Sequence, residues 1–311
     1  MAQLLALVLA FINTIGSAFS APVSEGYALS RPLPILGVEE AQAAISGLGF
    51  EVHQAPTLKR GAAQFSLSAA AAIIVDKDTG KVLFDKQADR RQAFASITKL
   101  MTALITRREL ALNDIVEVPR GALGITGSKS GLDVGESFTV YDLLYSLLLE
   151  SGNDTAHTLA VAVSGDLDSF VREMNRSAVI VGLENTHFTN PYGFDSEYHY
   201  STPRDLAQLV KIILGDPILT DIIAQSQKTI TSLNFQQAYN LKNTNLLLGD
   251  ADVHITGGKT GTTSAAGESL AVAAVDEAGH EIIAVILGSM NRFSEMKGLI
   301  QWTWSAYLWH D

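Results

Sequence analysis

Ser96 and Lys99 stand three residues apart at the head of an apolar stretch, FASITKLMTALI, residues 94–105. On a helix, positions i and i+3 share a face, so the hydroxyl and the amine can touch. A serine hydroxyl becomes a useful nucleophile only when a base takes its proton. Lysine serves as that base only when uncharged, and burial or a second cation lowers its pKa from the ordinary ~10.4. A free helix N-terminus also favours negative charge developing on Ser96. Standing alone, the pattern reads more simply as a helix cap followed by a snorkelling lysine. It recurs at Ser294 and Lys297 inside a polar helical stretch, where it carries no chemistry.

Two further stretches bear on the choice. LLLESGNDTAHTLA interrupts helical periodicity with Ser151-Gly152-Asn153, a short loop that presents a hydroxyl and an amide. The plain alternative there is a corner between two helices, with Asp154 capping the second. HITGGKTGTTSAAGESLAV carries Lys259-Thr260-Gly261 on an incipient strand. Gly261 lets a substrate backbone approach that strand, and Lys259 adds a cation. A phosphate-binding loop is excluded, because Val253 occupies the place of its first glycine. His187, His199 and His254 read as structural or surface residues: no Gly-x-Ser-x-Gly elbow accompanies them, and their spacing matches no zinc motif. No metal or cofactor is called for.

The elements that must position these groups are legible in part. SAAAAIIVDKDTGKVLFDKQAD is a hairpin turning at Asp78-Thr79-Gly80. A helix begins near Ser96. From Thr139 to about Leu214 the apolar spacing is mostly helical, then SLAVAAVD and HEIIAVILGS return as strands. An amphipathic helix is expected from Arg292 to Trp309. Strands at both ends with helices between them predict an α/β sandwich: an antiparallel sheet flanked by helices, an all-α lobe beside it, and a cleft where they meet. The α/β part is expected over 56–105 and 250–311, the helical lobe over about 106–249.

With 311 residues, 47% of them hydrophobic, the chain has ample material for a core. Its formal charge of −11 disfavours nucleic acid as a partner and gives no attraction to anionic lipid. The absence of cysteine excludes disulfides and thiolate metal sites. No charge precedes Glu25, and the apolar run from Leu4 to Ile15 suits a signal-peptide core, although a basic first segment is missing. Small residues at Ala18 and Ser20 place the expected cut after Ser20, giving a leader over 1–20 and an exported, periplasmic or extracellular protein. A linker with a little helix at Glu39–Ser46 is expected over 21–55, and the catalytic domain over 56–311.

Ser-x-x-Lys, Ser-Gly-Asn and Lys-Thr-Gly in that order resemble the motif set of penicillin-interacting serine enzymes. VDKDTGKVLFDKQAD, THFTNPYGFDSEYHYSTPRDLAQL and GKTGTTSAAG strengthen the resemblance to the low-molecular-weight penicillin-binding proteins, the D-alanyl-D-alanine carboxypeptidases and endopeptidases. The resemblance runs from about Pro56 to Trp304. It implies a β-lactamase/transpeptidase-like fold, peptidoglycan peptides as substrate and β-lactams as covalent inhibitors. It further implies Ser96 as nucleophile, Lys99 as base, and Ser151 as proton relay with Lys259 polarising it. Asn153 would bind the peptide amide and hold Lys99. The N–H groups of Ser96 and Thr262 would form the oxyanion hole, and Thr260 and Thr262 would bind the substrate carboxylate along Gly261. Arg292 is a candidate partner for that carboxylate, or else a solvated residue at a helix start.

A class A β-lactamase shares the fold and two of the motifs, but has Asp where Gly152 stands and needs a deacylating glutamate after the second motif. The matching Glu-x-x-Leu-Asn pattern begins here at Glu109, before Ser151. A non-catalytic sensor or cell-wall-binding domain is the other alternative. Trp302, Trp304, Tyr307 and Trp309 are expected to pack on the sheet rather than to anchor the protein strongly in a membrane.

Overall fold

The computed structural model describes residues 54–310. The expected leader, almost all of the linker and the short helix at Glu39–Ser46 lie outside the described residues. The end of the expected linker belongs to a strand, β1 (Gln54–Leu58), which pairs antiparallel with β11 (Tyr307–His310) at the other end of the chain. The final helix therefore stops before Trp309, at Ala306. The reason is a change of period: Tyr307 is buried and Leu308 exposed, the alternation of a strand. The Tyr307 hydroxyl fixes the change by donating to the Leu83 carbonyl.

The predicted hairpin forms from β2 (Ala71–Asp76) and β3 (Val82–Lys86). Asp76 closes its turn by accepting from the Thr79 backbone N–H at 2.9 Å, and Gly80 takes the left-handed φ of 71°. Three later strands, β8 (His254–Thr263), β9 (Gly267–Val275) and β10 (Glu281–Ser289), complete an antiparallel sheet in the order β3-β2-β10-β9-β8. Both faces are covered, so the central strands are nearly continuous apolar runs. On one face Ile74, Val272, Ile282 and Ile286 pack with Met296, Leu299 and Ile300 of the closing helix. On the other, Ile73, Ala271, Ile283, Val285 and Leu287 join the core of the helical side.

α1 (Lys99–Glu109) runs through that second core, with Leu100, Met101, Ala103 and Ile105 buried. Beyond it come α2 (Val140–Tyr145), a π-helical turn (Ser146–Glu150), α3 (Asn153–Ser164) and α4 (Leu167–Ile180). Two more helices follow, α5 (Pro203–Ile213) and α6 (Pro217–Ala224), each opened by a proline behind a capping Thr202 or Asp216. α5 packs directly across β2 and β10. The region expected to be all-α is mainly helical but also holds two short ladders. These are β4 (Ile115–Glu117) with β5 (Ser137–Thr139), and β6 (Gln227–Thr231) with β7 (Ala238–Lys242). α7 (Arg292–Ala306) covers the far face of the sheet.

Trp302, Trp304 and Trp309 pack with that far-face core, and the Trp302 indole donates to the Ala63 carbonyl at 2.7 Å. Among the described residues no helix is long and apolar enough to cross a membrane. The sheet is the frame on which β8 and α1 are aligned. Ile286, fully buried in central β10, should therefore be costly to truncate. Ile286→Ala is expected to lower unfolding free energy by about 2–5 kcal/mol in urea titrations.

Candidate active site

The chain enters α1 through a 3-10 turn, Ala95–Thr98, that carries Ser96. Ala95 has φ 48°, a conformation that costs an L-residue of order 1–3 kcal/mol and persists only when its surroundings enforce it. Two glycines supply that enforcement. A Cβ on Gly193 would lie 2.0 Å from the Ala95 carbonyl oxygen, and one on Gly261 would lie 2.8 Å from that of Phe94. Below the turn, the Thr98 hydroxyl donates to Ala95 O at 2.7 Å, so its contact with His199 Nε2 at 2.8 Å makes that nitrogen the donor. His199 Nδ1 accepts from the Thr189 N–H at 3.0 Å. The imidazole is thus a neutral strut, stacked 4.8 Å from the Phe94 ring, and burial holds its pKa down at about 4. The structural role expected for His199 is the one observed; His187 is half-buried and His254 exposed.

Lys99 is fully buried, and its Nζ has three neighbours at hydrogen-bonding distance. They are Ser96 Oγ at 2.9 Å, Asn153 Oδ1 at 2.7 Å and the Tyr192 carbonyl at 2.8 Å. The last two can only accept. Asn153 cannot be turned round, because its Nδ2 donates to the Thr126 carbonyl at 2.7 Å. A neutral amine has two N–H groups and one lone pair. In that form Asn153 and Tyr192 take both N–H groups, and the lone pair would face the Ser96 hydroxyl. Burial lowers the Lys99 pKa well below the ordinary amine range, the Lys259 charge lowers it further, and Asp154 opposes the shift. The arrangement can present a deprotonated amine to a hydroxyl.

Asn153 and Asp154 open α3 under a loop, residues 126–132. The Asn153 N–H donates to Ser128 O at 2.8 Å. Asp154, buried, accepts from the backbone N–H groups of Ser130, Gly131 and Leu132 at 2.9–3.2 Å. Asp154 thus holds a wall of the cleft, a larger role than helix capping. Gly127, at φ 79°, lets this loop lie against Asn153: its Cβ would be 2.8 Å from Nδ2. Gly152 is equally constrained, since a Cβ there would meet Ser130 Oγ at 2.5 Å and Asp154 Oδ1 at 2.8 Å.

Ser151 ends the π-helical turn at φ 64°. Its buried hydroxyl has no hydrogen-bond partner among the described residues. Lys259, expected to polarise that hydroxyl, makes no direct hydrogen bond to it; its Nζ donates to the Thr260 carbonyl at 3.2 Å. Burial and the Arg292 charge draw the Lys259 pKa down to about 7. Lys259, Thr260, Gly261 and Thr262 lie on β8, the edge strand of the sheet. Arg292 reaches this strand from the start of α7. Its Nη1 donates to the Gly261 carbonyl at 3.0 Å and to the Thr262 hydroxyl, while Nε has no partner among the described residues. All nine candidate residues therefore lie on elements that converge beside the turn carrying Ser96. The contributions of Tyr192, Gly193 and the 126–132 loop went unrecognised in the sequence. The turn residues Pro191-Tyr192-Gly193 are the signal that marks the first two. Ser294 and Lys297 belong elsewhere: Lys297 pairs with Asp250 and Asp252 on the surface.

Residues 58–291 match the family described as D-alanyl-D-alanine carboxypeptidase. The chain is 32% identical over 250 residues to the D-alanyl-D-alanine carboxypeptidase DacF of Bacillus subtilis, covering 78% of this chain and 64% of that protein. It is 30% identical over 243 residues to a D-alanyl-D-alanine endopeptidase of Pseudomonas aeruginosa, covering 77% and 78%. Among solved structures, the Streptomyces K15 DD-transpeptidase superposes with a TM-score of 0.73 at 28% identity, covering 78% of this chain and 99% of that one. The chain spans 61–64% of the length of three carboxypeptidase relatives, less than two thirds.

The sign of the lysine coupling is open to test. If deprotonated Lys99 is the base for Ser96, acylation should rise with pH through the folded-state pKa of the amine. Lys259→Gln removes the facing charge, which should raise that pKa and move the acidic limb of the acylation–pH profile to higher pH. A limb that stays in place or moves to lower pH contradicts the coupling. Lys99→Met should abolish acylation yet raise the melting temperature. With its pKa lowered by burial, the folded amine holds a proton less tightly than the unfolded chain does, and the variant lifts that penalty.

Proposed function

The chain belongs to the D-alanyl-D-alanine carboxypeptidase family, and on that premise we propose that it is a serine peptidase cleaving D-Ala–D-Ala-type bonds of peptidoglycan stem peptides through an acyl-enzyme. The observation that carries the reading is the donor count at Lys99: once Asn153 and Tyr192 have taken its two N–H groups, Ser96 is the group left to face the lone pair.

In this reading Ser96 Oγ attacks the carbonyl between the two D-residues as its proton passes to Lys99 Nζ. The resulting oxyanion is held by the N–H groups of Ser96 and Thr262. When the C–N bond breaks, the leaving amine takes a proton through Ser151, whose hydroxyl has no protein partner to compete for it among the described residues. Water then attacks the ester and restores Ser96. Gly261 leaves room for the substrate backbone beside β8. Thr260, Thr262 and the Arg292 guanidinium bind the terminal carboxylate, and Lys259 supplies positive potential nearby. Asn153 keeps Lys99 in line and offers a second lone pair to the substrate amide. Such chemistry lies outside the cytoplasm, in keeping with the leader-like segment at residues 1–20.

β-Lactams present an acyl group to the same hydroxyl and are expected to inhibit. Two observations disfavour a class A β-lactamase. An aspartate such as those enzymes carry could stand at Gly152 only if the side chains of Ser130, Asp154 and Thr155 moved aside. Glu109 lies exposed at the far end of α1, about 15 Å of helix rise from Lys99, where it bonds Arg108.

Purified peptidoglycan containing both pentapeptides and cross-linked dimers separates the candidate activities. Release of D-alanine from pentapeptide, or resolution of dimers, is expected with the wild type and should be lost in Ser96→Ala. A fluorescent penicillin should label the wild type covalently and leave Ser96→Ala unlabelled. Labelling without turnover of any peptide would favour a sensor, and rapid nitrocefin hydrolysis a β-lactamase.

A further inference from the structure

Thr244 lies in no motif, yet it touches two walls of the cleft. It follows β7 in the segment Lys242-Asn243-Thr244-Asn245. Its backbone N–H donates to the Leu149 carbonyl at 3.1 Å, two residues before Ser151. Its hydroxyl lies 2.5 Å from that of Thr260, the β8 residue proposed to bind the substrate carboxylate. The segment is itself pinned: Asn243 Nδ2 donates to Gln225 O at 2.9 Å, and Asn243 Oδ1 accepts from the Asn245 N–H at 2.9 Å.

We propose that Thr244 is a positioning residue for substrate recognition, which sets the Thr260 hydroxyl as a donor to the substrate's terminal carboxylate. The inference rests on the peptidase reading of this cleft. Each hydroxyl carries one proton. A carboxylate can only accept, so Thr260 must give its proton to the substrate. Its oxygen then needs a donor, and Thr244 is the neighbour that supplies one. The chain Thr244 O–H to Thr260 O–H to carboxylate runs in one direction, and each link polarises the next. The backbone bond to Leu149 keeps the donor in register with the turn that carries Ser151. Thr244 thus couples carboxylate capture to the position of the proposed proton relay without touching the reacting carbonyl.

The test compares two acyl donors on the full chain. One is an acyl-D-Ala-D-Ala peptide with a free carboxylate; the other is the p-nitrophenyl ester of the same acyl-D-alanine, whose leaving group has none. Thr244→Val keeps the shape and the backbone N–H but removes the hydroxyl. It should lower kcat/KM on the peptide by about 3–10-fold, mainly through KM, the size of one neutral hydrogen bond. The ester should react at the wild-type rate, and Thr244→Ser should restore the peptide. In Thr260→Val the further change at Thr244 should cost nothing, because the link is already gone. Equal losses on both donors would show a merely structural role, and no loss on the peptide would show that Thr260 needs no such partner; either overturns the proposal. A wild type that reacts with neither donor defeats the peptidase reading instead. If Thr244→Val melts well below the wild type, Thr244→Ala takes its place in the same comparison.

Discussion

The site depends on a shortage of N–H donors on one buried amine that three acceptors surround. A protonated Lys99 would have three N–H groups and could satisfy all three neighbours as a donor, leaving Ser96 with its own proton undirected. In the neutral form Lys99 has two, and the amide oxygen of Asn153 and the carbonyl of Tyr192 use both. The serine proton then points at a lone pair. Burial shifts the balance toward that neutral form, because transferring an ammonium out of water is costly and no carboxylate among the described residues bonds to this amine. The second buried lysine, Lys259, adds repulsion in the same direction.

The fold is arranged around keeping that geometry. The sheet, packed on both faces, fixes β8 at its edge and holds α1 against its inner side. The 3-10 turn bearing Ser96 is pressed between Gly193 and Gly261, so the strained φ of Ala95 has no easy relaxation. Asp154 gathers three backbone N–H groups of the 126–132 loop, and through Thr126 and Ser128 that loop orients Asn153. A buried carboxylate, a neutral histidine strut and two glycines thus support one amine. Local strain and a neutral lysine both reduce stability, and the continuous apolar core absorbs that cost.

Much of this was legible in the sequence. The Asp-Thr-Gly turn, the apolar strands and the three motifs carry local signals, and their order along the chain implied the β-lactamase/transpeptidase-like fold that the comparisons bear out. Contacts made by backbone atoms at long sequence separation left no such mark. The Tyr192 carbonyl reaches Lys99 across 93 residues, and any residue type supplies a carbonyl. The chain end misleads because Trp302 to Trp309 fits both helical and alternating periods, and the pairing of β11 with β1 decides between them. Lys259, to which the resemblance gives the role of polarising Ser151, bonds within β8.

The central claim is that the amine of Lys99 is uncharged while the protein is folded. Selective labelling of lysine side chains for NMR, with Lys99→Met to identify the signal, measures this directly across pH. The Lys99 resonance should titrate well below the ordinary lysine value of ~10.4, and its pKa should rise in Lys259→Gln. A Lys99 amine that remains an ammonium up to that ordinary value in the folded protein would contradict the claim.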